Sequence, residues 1–314
     1  MRQSFLSVPE GASLQAISKH RSIESSFNVS PKRVCKLPVR GAHSEVSCSS
    51  ALSIPLTDGV VGLTVTSPPY HNAIDYQKHL EKKWYRGNAG KSLDGYLSQM
   101  LDAFSEVYRV TKDSGFCAIV IGNEISNGTI IPLPHLLVEK LCSPRGRWNF
   151  HEEIIWNKVT GGLDRFGVTI QRPFPTYYRA NVMHELILIL RKGDLVHKKD
   201  ERSRFRVDEV MKKDTSNSIW NIAPVPPRYI DHPCPFPEEI PLRLISLYSN
   251  KGDLVLDPFL GSGQTGKSAK HLGRRFFGSD VLMGYCHLSS RRIASEKLHV
   301  RPQLVAKWEK VEDR

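Results

Sequence analysis

What this sequence lacks narrows its class before any motif is read. It has no long apolar run: LILIL at 186–190 is among the longest, far below the ~20 residues a bilayer crossing takes. It has no CxxC pair. Cys35, Cys48, Cys117, Cys142, Cys234 and Cys286 are scattered, so neither a zinc site nor a disulfide framework is indicated, no metal is expected, and a reducing cytoplasm fits. The opening stretch, MRQSFLSVPEGASLQAISKHR, has no continuous apolar segment of the secretory kind. Acids are in deficit: 32 Asp and Glu against 44 Lys and Arg leave a formal charge of +12, which suits a polyanionic partner such as nucleic acid. What is present is ordinary globular material, 40% hydrophobic and 24% charged over 314 residues, which excludes disorder throughout.

From Val60 onward, strand and helix patterns alternate. VVGLTV reads as a strand buried on both faces. LDGYLSQMLDAFSEVYRV carries Leu93, Tyr96, Leu97, Met100, Leu101, Phe104, Val107 and Tyr108 on one helical stripe, with Gly115 expected to stop the helix before the strand GFCAIVIGN. A helix around PLPHLLVEKLC and strands in HEEIIW and HELILILRK follow, then a charged segment, a Pro-rich stretch and the helix-like LRLISLYSN. This alternation predicts an α/β fold, a mostly parallel sheet covered on both faces.

Two stretches carry chemistry. DLVLDPFLGSGQTG at 253–266 is a strand ending in an acid, then a glycine turn that opens a helix. Gly261 and Gly263 present no Cβ, so backbone there can approach a ligand closely. It is not a P-loop, and although GSGQTG has the G-x-G-x-x-G spacing, the Asp-Pro-Phe before it sets it apart from the dinucleotide fingerprint. Asp280 closes the next strand, where a carboxylate can accept two ribose hydroxyls, so a nucleoside-bearing cofactor is expected. The other stretch is TSPPY at 66–70, where two prolines stop a buried strand at once. Prolines have no N–H and a fixed φ, so this corner offers rigid acceptors without competing donors, finished by the ring of Tyr70.

TSPPY followed later by DPFLGSGQT resembles the beta class of S-adenosylmethionine-dependent DNA amino-methyltransferases, in which the catalytic motif precedes the cofactor motif. The likeness covers roughly residues 47–296. It implies a Rossmann-like, doubly wound, circularly permuted methyltransferase domain with small target-recognition insertions. In that reading Ser67, Pro68, Pro69 and Tyr70 are catalytic: the Ser67 hydroxyl and the Pro68 carbonyl accept the hydrogens of an exocyclic amine, and Tyr70 stacks on a base extruded from the duplex. S-adenosyl-L-methionine is held by Asp257, Pro258, Phe259, Gly261, Ser262, Gly263, Thr265 and Asp280. Phe236 in CPFPEE is a further cofactor wall or, alternatively, a plug in the core.

Serine at the head of SPPY is usual for enzymes acting on cytosine N4, where Asp or Asn is usual for adenine N6. Ser67 therefore predicts N4-methylcytosine in double-stranded DNA, made by a modification enzyme with a cognate restriction endonuclease or by an orphan methylase. The rival readings are an adenine or RNA methyltransferase and a nucleic-acid binder whose pocket has decayed. Cys234, in a Pro-Cys pair that a C5-methyltransferase would use as nucleophile, is expected to be a small packed residue.

By the same reading the chain divides into a peripheral extension at 1–46, a catalytic half at 47–191, a short target-recognition region at 192–230, a cofactor half at 231–300 and a tail at 301–314. DNA contacts are expected from Lys82 and Lys83, from Arg165 and Arg172 in the basic and aromatic loop KVTGGLDRFGVTIQRPFPTYYRAN, and from Arg202, Arg204 and Arg206.

Overall fold

The structure is a computed structural model that describes residues 35–38, 43–71, 74–81, 92–126, 129–159, 172–197, 199–204, 211–226, 229–294, 298 and 300. Its centre is a nine-stranded sheet. The strands in chain order are β1 (Cys35–Pro38), β2 (Ser44–Cys48), β3 (Val61–Thr66), β4 (Thr111–Ile121), β7 (Asn149–Asn157), β8 (His184–Arg191), β9 (Ile219–Asn221), β10 (Leu254–Asp257) and β11 (Arg275–Asp280). Across the sheet they lie in the order β1-β2-β11-β10-β3-β4-β8-β7-β9, while β5 (Glu124–Ser126) and β6 (Thr129–Ile131) form a separate hairpin. From β2 to β4 neighbours pair in parallel; β1 and β8 run against theirs. The expected mostly parallel sheet is therefore present, with β8 inserted antiparallel between β4 and β7.

Side chains alternate across a strand, so a run of apolar residues feeds two cores at once. In β4, Ala118 and Val120 enter one core while Cys117, Ile119 and Ile121 enter the other; in β8, Ile187 and Ile189 part from Leu186, Leu188 and Leu190 in the same way. The second core is closed by α2 (Leu93–Val110) and α3 (Leu133–Leu141), and the first by α4 (Glu239–Tyr248), α5 (Gln264–His271) and α6 (Met283–Ala294). A short helix, α1 (Tyr76–Leu80), follows the proline corner. Among the described residues no helix is long and apolar enough to cross a membrane, and no group of three or more His, Cys, Asp or Glu could hold a metal.

Three expectations change. Gly115 does not stop α2. The helix ends at Val110, where the Thr111 hydroxyl donates to the Val107 carbonyl at 2.6 Å, and β4 starts immediately. Gly115 lies inside β4, where a Cβ would come within 2.8 Å of the Lys112 carbonyl oxygen and 3.1 Å of that of Gly62, so it permits close packing rather than a cap. The sheet also begins before residue 46, because β1 and the first residues of β2 form its edge. Within 192–230, β9 pairs with β7 and buries Trp220 completely, so part of that region is core rather than reading surface.

Candidate active site

β3, β10 and β11 are parallel neighbours, so their carboxyl ends open side by side, the usual place for a ligand in such a sheet. There β3 runs into Ser67–Tyr70, β10 ends at Asp257 before the glycine turn, and β11 ends at Asp280. Beneath the turn, Thr66 donates to Asp257 Oδ1 at 2.6 Å and the Phe259 N–H reaches the same oxygen at 3.2 Å. The Thr265 hydroxyl donates to the Val65 carbonyl at 3.2 Å.

A cavity of about 240 Å³ lies between these loops, bounded by Ser67, Tyr70, Pro258, Phe259, Gly261, Ser262 and Asp280, with Phe236 across from them. A second chamber of about 600 Å³ adjoins it and shares Ser67, Tyr70, His232, Cys234, Pro235 and Phe236 with it. Ser67 and Tyr70 thus stand on the partition between two spaces.

The floor of the first cavity is a tightly held turn. Gly261 has φ +48°, and a Cβ on it would come within 2.7 Å of His232 Nε2. Its N–H donates to Asp280 Oδ2 at 3.0 Å, while the Leu282 N–H donates to Oδ1 at 2.9 Å. Burial pushes Asp280 up to about 6 against the pull of those N–H donors. Burial also pushes Asp257 up to about 6, with the Thr66 and Thr265 hydroxyls and the Phe259 N–H opposing it. Burial, then His79 and Arg292, lower His232 to about 3, so this ring is neutral at physiological pH. Tyr70 is half-buried. Burial and then the nearby Glu185 carboxylate raise its phenol well above the ordinary range.

Not every residue expected at the cofactor reaches the cavity. Asp257 is 1% exposed and holds the loop from behind; Thr265 is fully buried against β3. Gly263 caps α5 at φ +82° and faces α6, where a Cβ would meet Ser289 Cβ at 2.9 Å. Pro68 is buried at the strand end while Ser67, Pro69 and Tyr70 line the space. Asp257, Thr265 and Gly263 thus shape the site without forming its surface. Cys234 departs from expectation in the opposite sense: it is exposed and lines both chambers, in a bent segment where its N–H donates to His232 Nδ1 at 3.3 Å.

Sequence reasoning missed several wall residues. Tyr96 belongs to the apolar stripe of α2, yet it lines the cavity with a buried hydroxyl that has no hydrogen-bond partner. Gln264 lies inside the glycine motif. Its Oε1 accepts from Arg292 at 2.7 Å and from Ser262 Oγ at 2.8 Å, and its Nε2 is buried and unpartnered. Tyr76, His232 and Tyr285 form an aromatic cluster on the same wall, with His232 5.8 Å and 5.0 Å from the two tyrosine rings. No spacing in the sequence joins these residues.

The basic residues separate into groups. The Ser203 hydroxyl accepts the Lys251 N–H at 2.7 Å, in the turn that feeds the amino end of β10. Arg202 and Arg204 therefore lie at the end of the sheet opposite the cavity, where Asp200 holds Arg202 and Glu201 stands 3.6 Å from Arg204. Arg172 is on the cavity side, in the connection from the end of β7 to the start of β8, its guanidinium 5.2 Å from the ring centre of Tyr177. Phe174 and Tyr178, both more than 60% exposed, lie beside it. Lys82, Lys83, Arg165 and Arg206 lie outside the described residues.

A nucleoside-bearing group fits the first cavity: a carboxylate on its wall, a turn with no Cβ at Gly261, aromatic rings, and two buried polar atoms awaiting partners, Gln264 Nε2 and Tyr96 Oη. Fold and site together are those of an S-adenosylmethionine-dependent methyltransferase. Residues 61–291 match the N6/N4 methyltransferase family of DNA methylases, and the chain belongs to that family. It is 26% identical over 267 residues to the orphan methyltransferase M.BamHII of Bacillus amyloliquefaciens, covering 75% of this chain and 89% of that one. It is 26% identical over 294 residues to the type II methyltransferase M.SmaI of Serratia marcescens, covering 83% and 91%. The structure of the DNA modification methylase TTHA0409 from Thermus thermophilus, described as putative and complexed with S-adenosyl-L-methionine, superposes with a TM-score of 0.62 at 26% identity, covering 81% of this chain and 95% of that one.

Proposed function

We propose that this DNA methyltransferase methylates the exocyclic N4 amine of a cytosine extruded from double-stranded DNA, with S-adenosyl-L-methionine as donor. The observation that carries the reading is the position of Ser67, a hydroxyl at the head of a proline corner on the partition between a nucleoside-shaped cavity and a second chamber. S-adenosyl-L-methionine, when bound, supplies an electrophilic sulfonium methyl. Asp280 is assigned to its ribose, Phe259 and Phe236 to its apolar parts, and Gln264 Nε2 to its carboxylate.

An exocyclic amine conjugated with its ring is a poor nucleophile, because the nitrogen lone pair is delocalised. The Ser67 hydroxyl and the Pro68 carbonyl are assigned to its two hydrogens, which turns the lone pair away from the ring and stabilises the positive charge that grows on nitrogen. Tyr70, which lines both spaces, is assigned to stack its ring on the extruded base. The connection bearing Arg172, Phe174 and Tyr178 overhangs the same side and is assigned to the duplex, with Arg172 on phosphate and an aromatic ring in the gap left by the base. A product of this kind serves a restriction–modification system with a cognate endonuclease, or an orphan methylase.

Mass spectrometry of nucleosides from duplex DNA incubated with the protein and isotopically labelled S-adenosyl-L-methionine tests the reading. Labelled N4-methylcytosine is expected. Labelled N6-methyladenine would overturn the choice of base, and the absence of label on any of several DNAs would overturn the reaction.

A further inference from the structure

The wall of the larger chamber contains a charged pair that the transfer step does not use. Glu185 stands in β8, 7% exposed, and the Lys158 ammonium, one residue beyond β7, is bonded to its carboxylate. Tyr70 lines the same chamber. Lys158 Nζ also lies 4.8 Å from the ring centre of Trp156, whose indole N–H is held by the Ile222 carbonyl at 2.8 Å. Carboxylate and ring together fix the ammonium in a chamber it shares with Ser67. An ammonium has three donors, and a single carboxylate contact leaves others directed elsewhere.

This inference rests on the N4-cytosine reading and deepens it. A cytosine seated by its amine at Ser67 carries, along the same edge, a ring nitrogen and then the carbonyl O2, both acceptors. Adenine seated by its amine carries a ring nitrogen and then a C–H where cytosine has O2. We propose that Lys158, anchored by Glu185, is the hydrogen-bond donor to the cytosine O2 and so sets the preference of the chamber for cytosine over adenine. Adenine in the same seat leaves a desolvated ammonium facing carbon, which opposes its binding. Glu185 is a positioning residue: it holds the donor in place.

The test uses the full chain, bound S-adenosyl-L-methionine and a duplex carrying its own methylation site. One duplex has cytosine at the target position. The other has the 2-aminopyridine C-nucleoside, which keeps the amine and the ring nitrogen and lacks O2. Loss of O2 is expected to lower kcat/KM of the unaltered protein by about 10- to 100-fold, the range of a good base-edge contact. Lys158→Met should lose a similar factor on the cytosine duplex and nothing further on the analogue, with cofactor affinity unchanged by calorimetry. A purely structural lysine would leave the dependence on O2 intact in the variant, and that result overturns the inference. Equal rates of the unaltered protein on both duplexes overturn it without any variant. If the natural duplex yields N6-methyladenine, the parent reading fails and this inference with it; if it yields N4-methylcytosine without a Lys158-dependent effect of O2, the inference alone fails.

Discussion

Thr66 and Asp257, the last residues of the neighbouring strands β3 and β10, are joined by a buried 2.6 Å hydrogen bond from the Thr66 hydroxyl to Asp257 Oδ1. One residue beyond Thr66 is the proline corner that carries Ser67; one beyond Asp257 is the turn that bounds the cofactor cavity. Beside the main-chain pairing of the two strands, this contact ties together two halves of the site that are 191 residues apart in sequence.

Thr66→Val removes that donor at nearly constant volume and leaves a buried carboxylate short of a partner. A loss of stability of about 1–3 kcal/mol is expected from an unsatisfied buried acceptor. Denaturant unfolding of the protein without cofactor checks it, and an unchanged midpoint would remove the contact from any structural role.

Ser67→Ala is expected to lower kcat by about 100- to 1000-fold, the effect of losing one well-placed transition-state partner. Affinity for S-adenosyl-L-methionine should stay within about 2-fold, because the lost contact is to the reacting amine. Single-turnover kinetics with titration calorimetry separates the two effects; equal losses in both would make Ser67 a cofactor residue.

Gly261→Ala and Gly263→Ala should fail differently. At Gly261 the new methyl meets the His232 ring on the cavity wall, so weakened cofactor binding is expected first. At Gly263 it meets the α6 backbone and Ser289 behind the wall, at a left-handed φ that costs about 1–2 kcal/mol for a residue with a Cβ, so lowered thermal stability is expected first. Calorimetry and thermal melts on both variants check the order.

Asp257 and Asp280 both sit at about 6 in the folded protein. An unfolded aspartate titrates near ~3.9, so between about pH 4 and 6 the folded state holds more protons than the unfolded one. Stability of the cofactor-free protein from these two groups is therefore greatest at the acid side of that window and falls as pH rises through it. Cofactor binding runs the other way, since ribose hydroxyls need the ionised Asp280 as acceptor. The rise in Tm on adding S-adenosyl-L-methionine should shrink as pH falls through about 6, and Asp280→Asn should flatten that dependence.

The strand-to-helix alternation, the double-sided burial of VVGLTV and the two motifs were legible in sequence because each depends on neighbours a few residues apart. The stripe of α2 obeys the 3.6-residue period, but the same stripe disguises Tyr96, which packs like its neighbours and also lines the cavity, with its hydroxyl buried and unpartnered. Gly115 was misread because a glycine near a helix end and a glycine under a crossing backbone look alike in one dimension. Cys234 was misread because its exposure depends on the path of the proline segment across the mouth.

By itself the sequence determined the class of sheet, the proline corner at the end of one strand and the glycine turn at the end of another, since local patterning and backbone restriction act through adjacent residues. The tertiary structure alone decided that β3 and β10 lie side by side, that Asp257, Gly263 and Thr265 support the cavity rather than line it, and that Lys158, Glu185 and Tyr70 meet in one wall. Those relations depend on strand order in the sheet, which follows from how distant segments bury their apolar faces together.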